Sequence, residues 1–442
     1  MRRLSLFVVL AAVLAAPVSA ENWPNWRGPA STGVSNEGGL PVRWSDSENI
    51  AWKATIRGLG ISSPIVWGDS VFVTSQVGSG FARNGPRLVQ NEDAAGAGER
   101  ALGGAATGAI ARGTAGTAFV VSAFDRSSGR KLWEYELAAE GALPEVHEKH
   151  NLATPSPVTD GQRVYAWFGT GQVVALDMSG KLVWKRNLSE YGAFSINWGV
   201  GSSPVLYKDA LILLCYHNSP ASYILAVDSA SGTNKWKVDG RGDLSYSTPF
   251  VIDAPSGAEL IVNSGTGVSG HSVANGERLW YINETNRFPI PVATQQDGII
   301  FLSRGYRSGP YMAIRPGGKG NVESSHVVWK VPTGAPYISS IVQHQGLIYM
   351  IGDVGVATVV DAKSGERVWQ ERIGGVYSAS PIAGDGKVYF FSESGETIVL
   401  SAGRAPDILS RNKLDARILG SPAVAGGRLF IRSDSTLFAI GK

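Results

Sequence analysis

Two histidines, His147 and His150, stand in a run that also holds Glu145, Glu148 and Asn151. Imidazole and carboxylate together are the donor set of zinc and related ions. The run is not the HExxH of a helical metalloprotease. A polar loop with one histidine bonded to a neighbouring segment is an equally open reading. Arg304-Gly305-Tyr306-Arg307 places two guanidinium groups beside a glycine. That pattern grips a carboxylate or phosphate, or simply leaves two solvated arginines. Trp198, Tyr246, Tyr337 and Tyr377 each sit in a connecting segment, where such rings stack on sugars or peptide side chains or else cap inner strands. Cys215 is the only cysteine and lies in the apolar run Leu211–Cys215, so it reads as a small core residue without an internal disulfide. Gly265 to Gly270 is glycine-rich, but no helix follows to build a phosphate site. No Ser-His-Asp order emerges from spacing.

These residues are positioned by a repeat. It is clearest in 154–185, TPSPVTDGQRVYAWFGTGQVVALDMSGKLVWK. Ser156-Pro157 opens it, and turns at Asp160-Gly161 and Ser179-Gly180 have the residues that tight hairpins use. Between them lie three β-rich runs, Val164–Phe168, Val173–Leu176 and Leu182–Lys185. Copies open at Ser63-Pro64, Ser156-Pro157, Ser203-Pro204, Thr248-Pro249, near Pro289-Ile290-Pro291, at Ser340-Ile341, Ser380-Pro381 and Ser421-Pro422. Tryptophans near the copy ends (52, 133, 184, 236, 280, 329, 369) are spaced 81, 51, 52, 44, 49 and 40 residues apart. The first spacing contains a 41-residue Gly/Ala-rich insert, 78–118, and falls to 40 without it. A period of roughly 40–50 residues with four short strands per copy predicts an all-β propeller of four-stranded antiparallel blades. The last copy lacks a fourth strand, and the orphan Ile50–Lys53 supplies it, which closes eight blades and removes open edges.

In four copies the third strand ends in Asp (Asp125, Asp177, Asp228, Asp361), with a turn glycine soon after. A carboxylate there accepts turn N–H groups, glycine tolerates positive φ, and the tryptophan fills the wedge between blades. These are structural roles.

Composition narrows the function. Charged residues make up 17% of the chain and the net charge is +3. Without Arg2 and Arg3 it is +1, from 38 basic and 37 acidic residues, which gives no basic stripe for nucleic acid. Residues 1–20 read as a cleaved signal peptide: Arg2 and Arg3, the apolar Leu4–Ala16, then Val18-Ser19-Ala20. Glu21 stands where a lipoprotein needs Cys, and no other stretch is long enough to span a bilayer. The expectation is a periplasmic or secreted protein that is a monomer. Residues 21–41 form an irregular arm, with Trp23 and Trp26 expected on the domain surface, and residues 42–442 form the propeller.

The repeat resembles that of the PQQ-like (pyrroloquinoline-quinone-type) β-propeller family. Ala175-Leu176-Asp177 to Trp184 and Ala226-Val227-Asp228 to Trp236 carry the likeness. Trp23-Pro24-Asn25-Trp26-Arg27-Gly28-Pro29 followed by Gly33-Val34-Ser35 is similar to the start of secreted bacterial members. The resemblance implies either of two activities, since the family includes quinoprotein dehydrogenases and a scaffolding propeller of the β-barrel assembly machinery. The dehydrogenases hold their quinone with a vicinal Cys-Cys disulfide, a stacking Trp and a calcium ion. This chain has one Cys and no C-x-x-C-H haem motif. The expectation is therefore a scaffold that binds an envelope protein or small ligand, without cofactor. A quinone- or metal-dependent oxidoreductase using the central funnel is the alternative.

Strand parity says where to look. Strands A to D alternate in direction, so the B–C and D–A connections share one face and the tight A–B and C–D turns share the other. His147, His150, Asn151, Trp198, Tyr246, Arg304, Arg307, Tyr337 and Tyr377 all fall on the first face. So does the insert 78–118, as a possible lid.

Overall fold

The computed structural model describes residues 21–78 and 116–441, except 142, 145, 148, 193–195, 197, 218–221, 241–242 and 307. The expected signal peptide and most of the insert lie outside the described residues. The described chain forms eight antiparallel sheets whose inner strands contact one another around an axis, an eight-bladed propeller. Blade 2 is Val158–Thr159, Arg163–Trp167, Gln172–Asp177 and Leu182–Asn187, from the inner strand A to the outer strand D. Blade 8 takes Ala423–Ala425, Arg428–Arg432 and Thr436–Ile440 from the end of the chain. Its fourth strand is Ile50–Thr55, paired antiparallel with Lys53 opposite Phe438. The predicted closure is present.

The repeated residues do repeated work. Asp177 Oδ1 accepts the N–H groups of Ser179 (2.9 Å) and Lys181 (3.0 Å), and Asp125 accepts those of Ser127 and Ser128. The hydroxyls of Ser127, Ser128 and Ser179, which donate to the same oxygens, and then these N–H groups hold both carboxyls below the usual range, Asp125 at about 2. Repeat-end tryptophans bind the next blade. Trp184 Nε1 donates to the Ser229 carbonyl at 2.9 Å, and Trp52, Trp133, Trp236, Trp329 and Trp369 make the matching bond. Each ring except that of Trp369 lies against a turn glycine of the next blade. A Cβ on Gly180 would come within 2.5 Å of Trp133.

A second set of links runs around the axis from blade 1 to blade 4 and from blade 5 to blade 8. The N–H of Ser63 donates to Ser156 Oγ (2.8 Å), that of Ser156 to Ser203 Oγ (3.0 Å), and that of Ser203 to Thr248 Oγ1 (2.9 Å). Val292, Ser340 and Ser380 continue the pattern to Ser340, Ser380 and Ser421, each at 2.9 Å. The hydroxyl of the Ser-Pro opening thus satisfies a buried backbone donor that the innermost strands leave over. This belt also corrects the fifth copy: Val292, one residue beyond Pro291, holds the serine position.

Blades 4 and 5 meet differently. Val292 has no hydroxyl to offer Thr248, and Trp280 turns inward to donate to Glu259 of its own blade at 2.8 Å. Other contacts replace these links. Gly320–Asn321 of blade 5 pairs parallel to the outer strand of blade 4. Buried Arg304 bonds Asn263 Oδ1 and the carbonyls of Gly267, Ser264 and Glu284.

The arm does not lie on the surface as expected. Trp23 is 0% exposed, bridged to Val66 of blade 1. Arg27 is buried, with Nη1 donating to the Pro381 carbonyl (2.8 Å) and Nη2 to those of Ile341 and Thr32 (2.7 Å each). Burial lowers its pKa to about 9, so it stays charged at neutral pH. The reason is that the inner strands leave carbonyls and an apolar opening at the hub, which a Trp-x-x-Trp-Arg segment fills. The arm's contacts with Gly68, Asp385 and Gly426 place it on the A–B turn face.

Candidate functional site

On the opposite face, D–A and B–C connections interlock as parity requires. The Ile338 N–H donates to Asp353 Oδ1 at 3.2 Å, and Leu59 bridges Gln76. Gly78 and Gly116, which flank residues 79–115, emerge here. At the axis these connections enclose a cavity of about 210 Å³ to which all eight blades contribute. Its collar is the serine belt, and its walls include Ile61, Trp198, Tyr246, Phe288, Ile290, Tyr337 and Leu419. Trp26 of the arm also lines it, from the side of the turn face.

The residues singled out from sequence divide into groups. His147, His150, Trp198, Tyr246 and Tyr337 all line the chamber. The His147 N–H donates to the Trp198 carbonyl at 3.2 Å, and the two rings meet edge-on at 5.4 Å. Trp198 holds φ at +77°, a conformation that bulky side chains rarely adopt and that costs local strain. Tyr246, Phe288, Tyr306 and Tyr337 form a chain of ring contacts 5.0–6.4 Å apart along one side. Gly305 is required there, because a Cβ would sit 1.7 Å from the Pro336 carbonyl oxygen. Asn151 supports the loop from beneath, donating to the Leu59 carbonyl at 2.8 Å and accepting from Ala153 N. Tyr377 is fully buried between blades 6 and 7, outside the chamber. Arg304 lines a different pocket of about 530 Å³, with its guanidinium bonded to blade 4. Arg307 lies outside the described residues.

Four participants were not read from the sequence: Trp26, Lys149, Asp353 and Glu393. Lys149 Nζ reaches Glu393 Oε1 at 2.7 Å, tying the first D–A loop to the B–C loop of blade 7. Ser378 Oγ donates to the same oxygen at 2.6 Å. Asp353 occupies the matching loop of blade 6, and burial raises its carboxyl to about 7. Burial, and secondarily His147, lowers His150 to about 3, so its imidazole is neutral. Gly352-Asp353-x-Gly355 and Ser392-Glu393-x-Gly395 stand at one repeat position, and aligning the B–C loops exposes that signal.

The family profile described as outer membrane protein assembly factor BamB matches residues 117–287 and 353–442, more than half of the chain. The chain belongs to this family. No curated protein matches it in sequence. Among solved structures, BamB from Moraxella catarrhalis superposes with a TM-score of 0.54 at 16% identity, covering 75% of this chain and 93% of that one. Quinohemoprotein alcohol dehydrogenase from Comamonas testosteroni superposes with a TM-score of 0.60 at 12% identity, covering 95% and 81%. The computationally designed Ika8 protein gives 0.52 at 9% identity, covering 75% and 95%. At these identities the likeness is one of fold.

Among the described residues the one cation on the wall, Lys149, is paired with Glu393, and Asp353 adds a second acid nearby. Among the described residues no group of three or more His, Cys, Asp or Glu converges to hold a metal.

Proposed function

We propose that this BamB-family propeller is a binding scaffold of the cell envelope, and that its D–A/B–C face receives a protein partner or small ligand at the axial chamber. One observation carries the reading: a single apolar, aromatic-walled chamber to which every blade contributes, rimmed by an internally paired Lys149–Glu393. Such a site takes an apolar side chain or a small uncharged ring and offers few fixed charges for chemistry. Envelope placement rests on the signal-like residues 1–20 and on the family. Among the described residues no helix is long and apolar enough to cross a membrane.

The test replaces Trp198 with a photo-crosslinking residue in native cells and compares it with the same replacement at Val183, an exposed residue on the outer edge of blade 2. A discrete adduct from position 198 alone is expected. Equal adducts from both positions, or none from 198, would remove the reading. The oxidoreductase alternative is checked on the purified protein: a redox-bleachable chromophore or stoichiometric metal would favour it over the scaffold.

A further inference from the structure

Blade 4 departs from the other seven on its third strand as well. The residue after the one facing the repeat-end position, a tryptophan in every blade but blade 7 where it is Ser410, is Phe124, Leu176, Val227, Ile314, Val360, Leu400 and Ile440 in the other blades, and His271 in blade 4. Two residues earlier on the same strand face stands Ser269, where the other blades have Ser122, Val174, Leu225, Met312, Thr358, Ile398 and Phe438. An apolar residue has been exchanged for a histidine beside a hydroxyl that blades 1 and 6 also carry. A repeat that tolerates an apolar residue at the histidine position seven times does not need an imidazole there for folding.

The pair is arranged in a specific way. His271 Nδ1 lies 3.1 Å from the Gly276 carbonyl oxygen, and Nε2 lies 2.9 Å from Ser269 Oγ. A carbonyl oxygen only accepts, so Nδ1 carries the proton and the Nε2 lone pair faces the serine hydroxyl. Burial keeps the imidazole neutral, its pKa lowered to about 4. Both residues line a groove of about 480 Å³ between blades 3 and 4, which shares no lining residue with the axial chamber. Asp239, Asp243 and Glu277 on its walls offset Arg278 and Lys319, so the groove suits an uncharged substrate.

We propose that Ser269 and His271 form a nucleophilic dyad for acyl transfer from small, uncharged carboxylic esters bound in the groove between blades 3 and 4. Ser269 Oγ forms a bond to the ester carbonyl carbon while its proton moves to His271 Nε2. The carbon–alkoxide bond then breaks, and the departing oxygen takes that proton as an alcohol. Water, deprotonated by the same nitrogen, cleaves the acyl-serine, releasing the acid and restoring the hydroxyl. The sum is ester plus water to acid plus alcohol. The Gly276 carbonyl holds the tautomer, the part a carboxylate plays in a triad.

The full chain is treated with a fluorophosphonate probe and followed by intact mass and peptide mapping, alongside hydrolysis of 4-nitrophenyl acetate. One adduct, mapped to Ser269, is expected. It should vanish in Ser269→Ala, and His271→Gln should slow labelling by about 100-fold or more. Ser122→Ala, at the same position of blade 1, should change nothing. No adduct, or one that survives Ser269→Ala, would overturn the proposal and leave a satisfied buried hydrogen bond. If Ser269→Ala fails to fold by circular dichroism, the peptide map of the unmodified sequence still decides.

Discussion

At the scale of single residues, the buried ionisable groups set how stability depends on pH. His150 and His271 have folded pKa values of about 3 and 4, below the ordinary 6.5. Between those values the unfolded chain binds protons that the folded chain does not, so stability falls as pH drops from 6.5 toward 4. Asp353 acts in the opposite sense. Its folded value of about 7 lies above the ordinary 3.8, so the folded chain keeps a proton that the unfolded chain has lost, and stability falls as pH rises through that window. Burial also lowers His217 and His344, and four histidines against one aspartate predict a melting temperature that declines on acidification below pH 6.5. Asp353→Asn removes the opposing contribution and should steepen the decline. A pH–melting series on both proteins checks this, and an unchanged slope would contradict the assignment. None of these burials is visible in the residue types alone. The sequence marks His150 as interesting, but the environment that neutralises it comes from chain segments far away.

At the scale of elements, the repeat was legible because its signals are local. A turn needs its glycine, a carboxylate caps the next N–H groups, and a strand ends where the chain must reverse. Blade 8 could be assembled from the two chain ends for the same reason, since a missing strand and an orphan strand are each read without tertiary knowledge. The site was legible only halfway. Strand parity gave the face, and with it His147, His150, Trp198, Tyr246 and Tyr337. It could not give Lys149 and Glu393, which are 244 residues apart and meet only when the ring is closed. Arg304 stood out in the sequence, but the carbonyls that hold it belong to blade 4 and carry no sequence signature. The turn–tryptophan joint can be tested directly. Gly180 has φ +86° and its Cβ would strike Trp133 at 2.5 Å, whereas Gly298 has φ +73° with nothing within 4 Å. Both alanine substitutions pay the backbone strain, and only Gly180→Ala also displaces the ring, by about 1–3 kcal/mol more. Thermal melts should therefore rank Gly180→Ala well below Gly298→Ala, and equal losses would mean that the ring contact contributes little.

At the scale of the whole molecule, the hub is held from one side by the serine belt and from the other by the arm. Trp23→Ala removes a fully buried indole and should cost about 3–5 kcal/mol. Deleting residues 21–41 should have a further effect that a core cavity lacks. It takes away Arg27 and the Trp26 surface, so the chamber opens toward the turn face, and an apolar fluorescent dye that the intact ring excludes should enter it. Exclusion of the dye by the truncated ring would show that Trp26 does not close that end. The arm also implies an order of events. Arg27 finds its acceptors 314 and 354 residues later in the chain, at Ile341 and Pro381. Residues made well before blades 6 and 7 are thus among the last to settle, because their seat exists only after those blades have joined the circle. Such distant contacts form slowly, and until they do two tryptophans stay uncovered. A newly made chain therefore carries its own stopper at the leading end, exposed and adhesive, through the whole interval in which the ring is being built.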